Sequence, residues 1–288
     1  MIIRSCLTCI SLCVIFLTKG QDAHGQTNTG LADRADSLYR GEAYFDAAIV
    51  YERILFVSND PQEQYRAVIG KLGCLKKEGL FDQAVTFLEA WQTYSFPDSC
   101  LWEIHSQQVL CSYLGGHFEN VGSLVDRWPY VHGGKQAPPL LVVLKILSLN
   151  ELQRWKEAKD AYHSFMDSLA GERVDLYANL PHLKSVSKAQ WLSTFIPGGG
   201  QFYAGRPGEA LFSILVQAAG IYFGVVSFEQ HYYVSAWLVG AALFGAFHMG
   251  GVRRAEVLVE RYNRKKALVF NQQVKDQLLQ TLTETGGR

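Results

Sequence analysis

Few residues in this chain are arranged to do chemistry, and the best-organised group is a glycine-rich run. Glycines can cradle a phosphate on backbone N–H groups, and Pro197-Gly198-Gly199-Gly200-Gln201-Phe202-Tyr203-Ala204-Gly205 has that composition. A phosphate loop also needs a Gly-Lys-Ser/Thr ending and a preceding strand; both are missing, so nucleotide binding is not expected. The same residues make a sharp turn instead. Proline ends a helix, glycines permit positive φ, and Gln201 can hydrogen-bond backbone groups that water does not reach. Cys74, Cys100 and Cys111 are scattered without a CxxC pair or a histidine at ligand spacing. That pattern makes neither a metal site nor a disulfide framework, and it suits small apolar core positions. No Ser/His/Asp, HExxH or paired-carboxylate constellation stands out. The chain therefore reads as no enzyme, with no cofactor and no metal. Its 27 basic residues balance 27 acidic ones, so no overall field points to nucleic acid.

The elements that must hold these residues show an internal period. Ala47, Ala84, Val121 and Ala158 stand 37 residues apart. Three positions before each comes Tyr44, Phe81, Phe118 or Trp155; four after come Tyr51, Leu88, Val125 and Tyr162; three further on come Ile54, Trp91, Trp128 and Phe165. An aromatic, a small residue and two large apolar residues at helical spacing form a buried stripe. Repetition at this length predicts stacked helix pairs, each burying its apolar face against the next.

The chain changes character after residue 180. Residues 171–190 are polar and read as a linker. Two apolar stretches, 210–228 and 232–249, follow the glycine run, separated only by Glu229-Gln230-His231. Each is long enough as a helix to cross about 30 Å of hydrocarbon. Small residues four apart (Gly220 with Gly224, Ala241 with Gly245, Ala242 with Ala246) suit close contact between the two. His248, inside the second stretch, lies near the interface end beside Arg253. Residues 255–282 read as an amphipathic helix (Leu258, Tyr262, Val269) with a basic start, suited to a lipid surface. At the other end of the chain, Arg4, the apolar run 10–17 and Ala23-His24-Gly25 have the layout of a secretory signal over residues 1–25. That signal implies export. Basic residues on both flanks of the hairpin (Lys184, Lys188 and Arg206 before it, six after) instead favour a cytoplasmic placement. The expectation adopted is export, with the repeats periplasmic and the basic flanks on anionic headgroups.

Two family resemblances refine this outline. Gly79-x-Phe81-x-x-Ala84 and Gly116-x-Phe118-x-x-Val121 resemble the opening of the second helix in a tetratricopeptide (TPR) repeat. Gly41 comes one position early in the first repeat, Gln153 replaces glycine in the fourth, and Asp60-Pro61 ends the first as that family does. The resemblance covers about residues 31–170 and implies an all-α, TPR-like helical solenoid of about four helix pairs. It also implies a protein or peptide partner on the concave face, where the column Tyr39, Lys76, Tyr113 and Asn150 would fall. Pro197, Gly198, Gly200, Gln201, Tyr203 and Gly205 ahead of a helical hairpin resemble the bacterial membrane domain family DUF5683. Members of that family from Bacteroidetes often follow a signal peptide, and it has no assigned activity. The whole is expected to comprise a signal at 1–25, repeats at 31–170, a linker at 171–190, a transmembrane hairpin module at 191–252 and a basic amphipathic tail at 253–288. Such a chain would serve as a membrane-tethered scaffold of the bacterial cell envelope. The alternative is a subunit of an envelope-biogenesis or transport complex.

Overall fold

The structure, a computed structural model, describes residues 28–91, 96–168 and 175–286. The signal expected at 1–25 lies outside the described residues. Among these the secondary structure is entirely helical. The chain divides into two compact units, 1–152 and 153–288.

The first unit contains α1 (Asn28–Arg40), α2 (Tyr44–Val57), α3 (Pro61–Lys77), α4 (Phe81–Trp91), α5 (Asp98–Leu114), α6 (Phe118–Val131) and α7 (Pro139–Glu151). The 37-residue period of the sequence is also a period of the backbone. Helices end at Arg40, Lys77, Leu114 and Glu151, and the next ones start at Tyr44, Phe81, Phe118 and Trp155. One mechanism ends α1, α3 and α5. The N–H groups of Ala43, Leu80 and His117 reach back five residues to the carbonyls of Leu38, Leu75 and Ser112, at 3.0, 2.9 and 2.8 Å. That is the Schellman closure, which needs a left-handed residue just before the donor. Gly79 (φ 72°), Gly116 (φ 78°) and, without being glycine, Glu42 (φ 61°) supply it; Gln153, just past α7, is left-handed as well (φ 57°). The backbone thus keeps the turn where the sequence lost its glycine. Asp60 caps α3, its carboxylate accepting from Gln62 and Glu63 N–H ahead of Pro61 at the first turn.

The apolar stripe is buried, and it is shared between successive pairs. Ala47, Ala84 and Val121 are fully enclosed. Ala47, Tyr51 and Ile54 of α2 pack with Leu31 and Ala35 of α1 and with Ala67 and Cys74 of α3. Ala84 and Leu88 of α4 pack with Leu72 of α3 and Ile104 of α5. Val121 and Trp128 of α6 pack with Val109 of α5 and Leu144 of α7. Each second helix therefore needs the next first helix to cover it. Close approach is enforced at Gly70, where an added Cβ would come within 2.5 Å of the Tyr51 ring.

The second unit contains α8 (Trp155–Ser168), α9 (Val186–Phe195), α10 (Gly199–Ala204), α11 (Pro207–Glu229), α12 (Tyr233–Ser235), a π-helical segment (Ala236–Ala241) and α13 (Ala242–Gly286). The unit boundary at 152/153 falls inside the fourth repeat expected from the sequence, between α7 and α8. Ala158 and Tyr162 of α8 are buried. Trp155 donates its indole N–H to Asn271 at 3.2 Å and meets the Phe270 ring edge-on. Tyr177, inside the expected linker, is buried and contacts Tyr162 and Phe270. The described part of that segment is thus anchored at Tyr177.

Two helices of this unit are long and apolar enough to cross a membrane: Pro207–Glu229 and the one running on from Tyr233. Their joint is again a Schellman closure, with Tyr232 N–H on the Ser227 carbonyl at 2.9 Å and His231 left-handed at φ 65°. The second helix passes Gly250-Gly251 and the basic cluster without a stop, because no proline breaks it. The close crossing also differs in register from the sequence expectation. An added Cβ on Gly240 would come 2.6 Å from Gly224 Cα, whereas one on Gly245 would meet nothing within 4 Å. The residue inserted by the π turn brings Gly240 to α11. A further correction concerns the tail. Its apolar stripe (Ala255, Leu258, Val259, Phe270, Val274) is buried within the protein, and Val269 lies outside it, 53% exposed. The stripe that was expected to face lipid is covered by α9 and by the Trp155 region.

Candidate functional site

The glycine run folds into a tightly packed knot, and each motif residue has a physical task in it. Gly198 and Gly205 take left-handed φ of 77° and 82° at the two ends of α10. A Cβ on Gly200 would come within 2.5 Å of Ser193 Oγ, the Ala189 carbonyl and the Ala255 methyl, so only glycine lets α10 sit against α9 and α13. Gln201 is 2% exposed. Its amide donates to the Gly251 carbonyl at 2.9 Å, and its Oε1 accepts from Ser193 Oγ at 3.3 Å. Ser193 Oγ in turn accepts the Gly200 N–H at 3.0 Å. Tyr203 accepts the Ser185 N–H on its hydroxyl, at 3.1 Å, and Lys184 Nζ on its carbonyl, at 2.8 Å. Pro197 follows the cap of α9 and stops that helix. The knot is clamped from α13 by Asn263, which makes two 2.8 Å bonds to the backbone N–H and carbonyl of Lys184. Asn263 carried no periodic or motif signal in the sequence.

Beside the knot lies a cleft of about 520 Å³ between α11 and α13. Phe212, Ala246, Phe247 and Gly250 line its apolar part, with Gln201 and Ser213 at its wall. Glu209 and Arg254 stand at its mouth in a two-point ion pair, at 2.7 and 3.2 Å. Arg206 immediately precedes α11, and Arg261 lies seven residues beyond Arg254 on α13.

The column Tyr39, Lys76, Tyr113 and Asn150 lies at the ends of α1, α3, α5 and α7. Tyr39 and Tyr113 are half-buried against the rings that open the next helices, Tyr44 at 5.4 Å and Phe118 at 5.7 Å. Lys76 donates to Gln107 of α5 at 2.8 Å, and Asn150 is 1% exposed. Tyr39, Lys76 and Tyr113 thus contact neighbouring helices, and Lys76 is half-exposed.

Sequence reading missed a histidine pair. His105 of α5 and His132, just after α6, face each other with ring nitrogens 3.1 Å apart, flanked by Trp102 and Trp128. Burial pushes both imidazoles below their ordinary value; His132 and Arg127 add to that at His105, while Asp98 opposes it at His132. Their 27-residue separation matches no period, so only the packing joins them. The cysteines behave as core. Cys74, Cys100 and Cys111 are buried free thiols, and burial raises Cys74 to about 11, which leaves it protonated and unreactive.

Comparison with protein-family models, with curated proteins and with solved structures finds no match for this chain.

Proposed function

We propose that this chain is a non-enzymatic, membrane-tethered scaffold of the bacterial cell envelope, in which TPR-type repeats bind a protein or peptide partner. The observation that carries the membrane part is the inverted packing of α11. Its buried positions are Ala210, Ser213, Gln217, Gly220 and Ser227. Its outward positions include Leu215 at 67% and Tyr222 at 72% exposure, and Val234 and Trp237 beyond the turn stand at 72% and 74%. A helix in water buries its apolar face and exposes its polar one; lipid reverses the preference. The stacked, exposed Trp191 and Phe195 of α9 suit the headgroup level at the basic end of the hairpin. The 37-residue backbone period and the shared cores favour the solenoid reading, and such stacks present extended binding surfaces.

The partner is tested in membranes of a bacterial host. Photo-crosslinking side chains are placed on the first helices at Lys76 and Gln107, and on the second helices at Phe45 and Phe56. A partner trapped from the first set alone supports the concave-face reading; equal or no trapping from both sets removes it. A reporter active only outside the cytoplasm, fused after Arg288, is expected to be active, and a silent reporter there overturns the periplasmic placement. A second reading, in which the hairpin packs against a larger membrane partner, draws on a cleft of about 660 Å³ near the turn, lined by Gly220, Gly224, Trp237 and Phe244. Crosslinking from Trp237 to another protein would favour it.

A further inference from the structure

The geometry points to a phospholipid-binding site in the cleft between α11 and α13, selective for an anionic headgroup. This inference rests on the membrane reading of the hairpin. Two features of the cleft, separated along its depth, match the two halves of such a lipid.

The mouth matches the headgroup. Arg254 and Glu209 sit there as an ion pair. Around it α13 carries Arg253, Arg254, Arg261, Arg264, Lys265 and Lys266 against Glu256 and Glu260, and Arg206 precedes α11, so this end has an excess of positive charge. Arginine binds phosphodiester oxygens in a planar, two-point manner. This is also the end of the hairpin that carries its basic residues; the turn at Glu229-Gln230-His231 has no lysine or arginine. A headgroup on this side finds positive charge, and one at the other side does not.

The interior matches an acyl chain. From Arg254 the wall runs inward along α13 through Gly250 to Ala246, about 12 Å of helix, and Phe212 and Phe247 close the sides. The slot is open beside Gly250 and Gly208, where an added Cβ would meet nothing within 4 Å. The polar groups in the wall are already satisfied toward the protein. Gln201 donates to Gly251, and Ser213 Oγ accepts from Gln217. The slot is therefore apolar in effect, and a methylene chain suits it better than a polar ligand or water.

Charge and shape can be tested separately on the full chain. The protein is reconstituted into phosphatidylcholine vesicles with and without phosphatidylglycerol, extracted gently, and its retained lipids are counted by native mass spectrometry. Wild type is expected to retain phosphatidylglycerol over phosphatidylcholine. Arg254→Gln should weaken that preference about fivefold, the worth of one cation near an anionic headgroup. Glu209→Gln removes the competing anion and should strengthen it by a similar factor, an opposite sign that general damage to the fold does not produce. Gly250→Leu fills the slot without touching a charge and should abolish retention of phosphatidylglycerol with the helical signal intact. A chain that does not enter vesicles overturns the membrane reading and this inference with it. A chain that enters but holds both lipids alike, or in which the two charge variants shift retention in the same direction, overturns this inference alone.

Discussion

Gly79→Ala and Gly122→Ala are the same chemical change with opposite expected outcomes. Gly79 closes α3 at φ 72°, and an added Cβ there would touch nothing within 4 Å. The cost is therefore purely conformational, about 1–2 kcal/mol for an L-residue in the left-handed region. A less flexible unfolded chain offsets about 0.4–1 kcal/mol of that, leaving a net loss of roughly 1 kcal/mol. Gly122 sits within α6, again with no neighbour for a Cβ, so alanine there should gain about 0.5–1 kcal/mol. Peptide-resolved hydrogen exchange on the full chain reads both locally. Amides of α3 and α4 should exchange about fivefold faster in Gly79→Ala, and those of α6 about two- to fivefold slower in Gly122→Ala. Glu42→Gly relieves the same strain at the first repeat and should slow exchange at the α1–α2 joint. If Gly79→Ala were to protect α3 and α4 as Gly122→Ala protects α6, the left-handed joint would not be what closes the repeat.

Three further outcomes follow from named contacts. His105 Nδ1 and His132 Nε2 lie 3.1 Å apart, within hydrogen-bond distance. Both are held below the ordinary value of 6.5, chiefly by burial, so the unfolded chain takes up protons first. Stability of α5 and α6 should be full above that value and decline as pH falls below it, and His132→Phe should flatten the profile in melting scans. Gly200→Ala drives a methyl into the Ala189 carbonyl and the Ala255 methyl and should cost about 1–3 kcal/mol, seen as faster exchange across α9 and α10; Gly208→Ala, with open space around it, should not. Ala84→Arg forces a charge into a fully enclosed site and should melt the first unit outright, which circular dichroism would register as lost helix.

Much of the fold was legible because the repeat is written in side-chain size. The columns at Ala47 and Tyr51 predict burial wherever helical spacing holds, and the helix limits keep the same 37-residue period. The left-handed joints were half legible. Glycine marks Gly79 and Gly116, but Glu42 and Gln153 adopt the same φ with no residue-type signal; at Glu42 the flanking bonds of Glu42 and Ala43 N–H hold it. The tail was misread for a different reason: an amphipathic stripe shows that a face is covered, not whether protein or lipid covers it. In the glycine run, the need for tight turns was readable, whereas the Ser193–Gln201–Gly251 chain and the Asn263 clamp join residues far apart in sequence. The crossing at Gly224 and Gly240 depended on a π turn that shifts register by one residue, which no composition signal announces.

The outward face of the two long apolar helices is exposed in the protein and, on the membrane reading, meets lipid. The decisive measurement is the alkali-resistant membrane fraction of the full chain, compared with Leu215→Lys and Trp237→Lys. Both residues are exposed and packed against little of the protein, so in water either change would be neutral or favourable. In hydrocarbon a lysine costs about 2.5–3.5 kcal/mol at the helix centre, the position of Leu215, and less at Trp237 close to the turn. The wild-type chain is expected to stay with the membrane, and each variant to shift toward the soluble or aggregated fraction. A wild-type chain that washes free at alkaline pH and remains monodisperse without detergent, with both lysine variants behaving alike, would contradict the membrane-tethered account at its root.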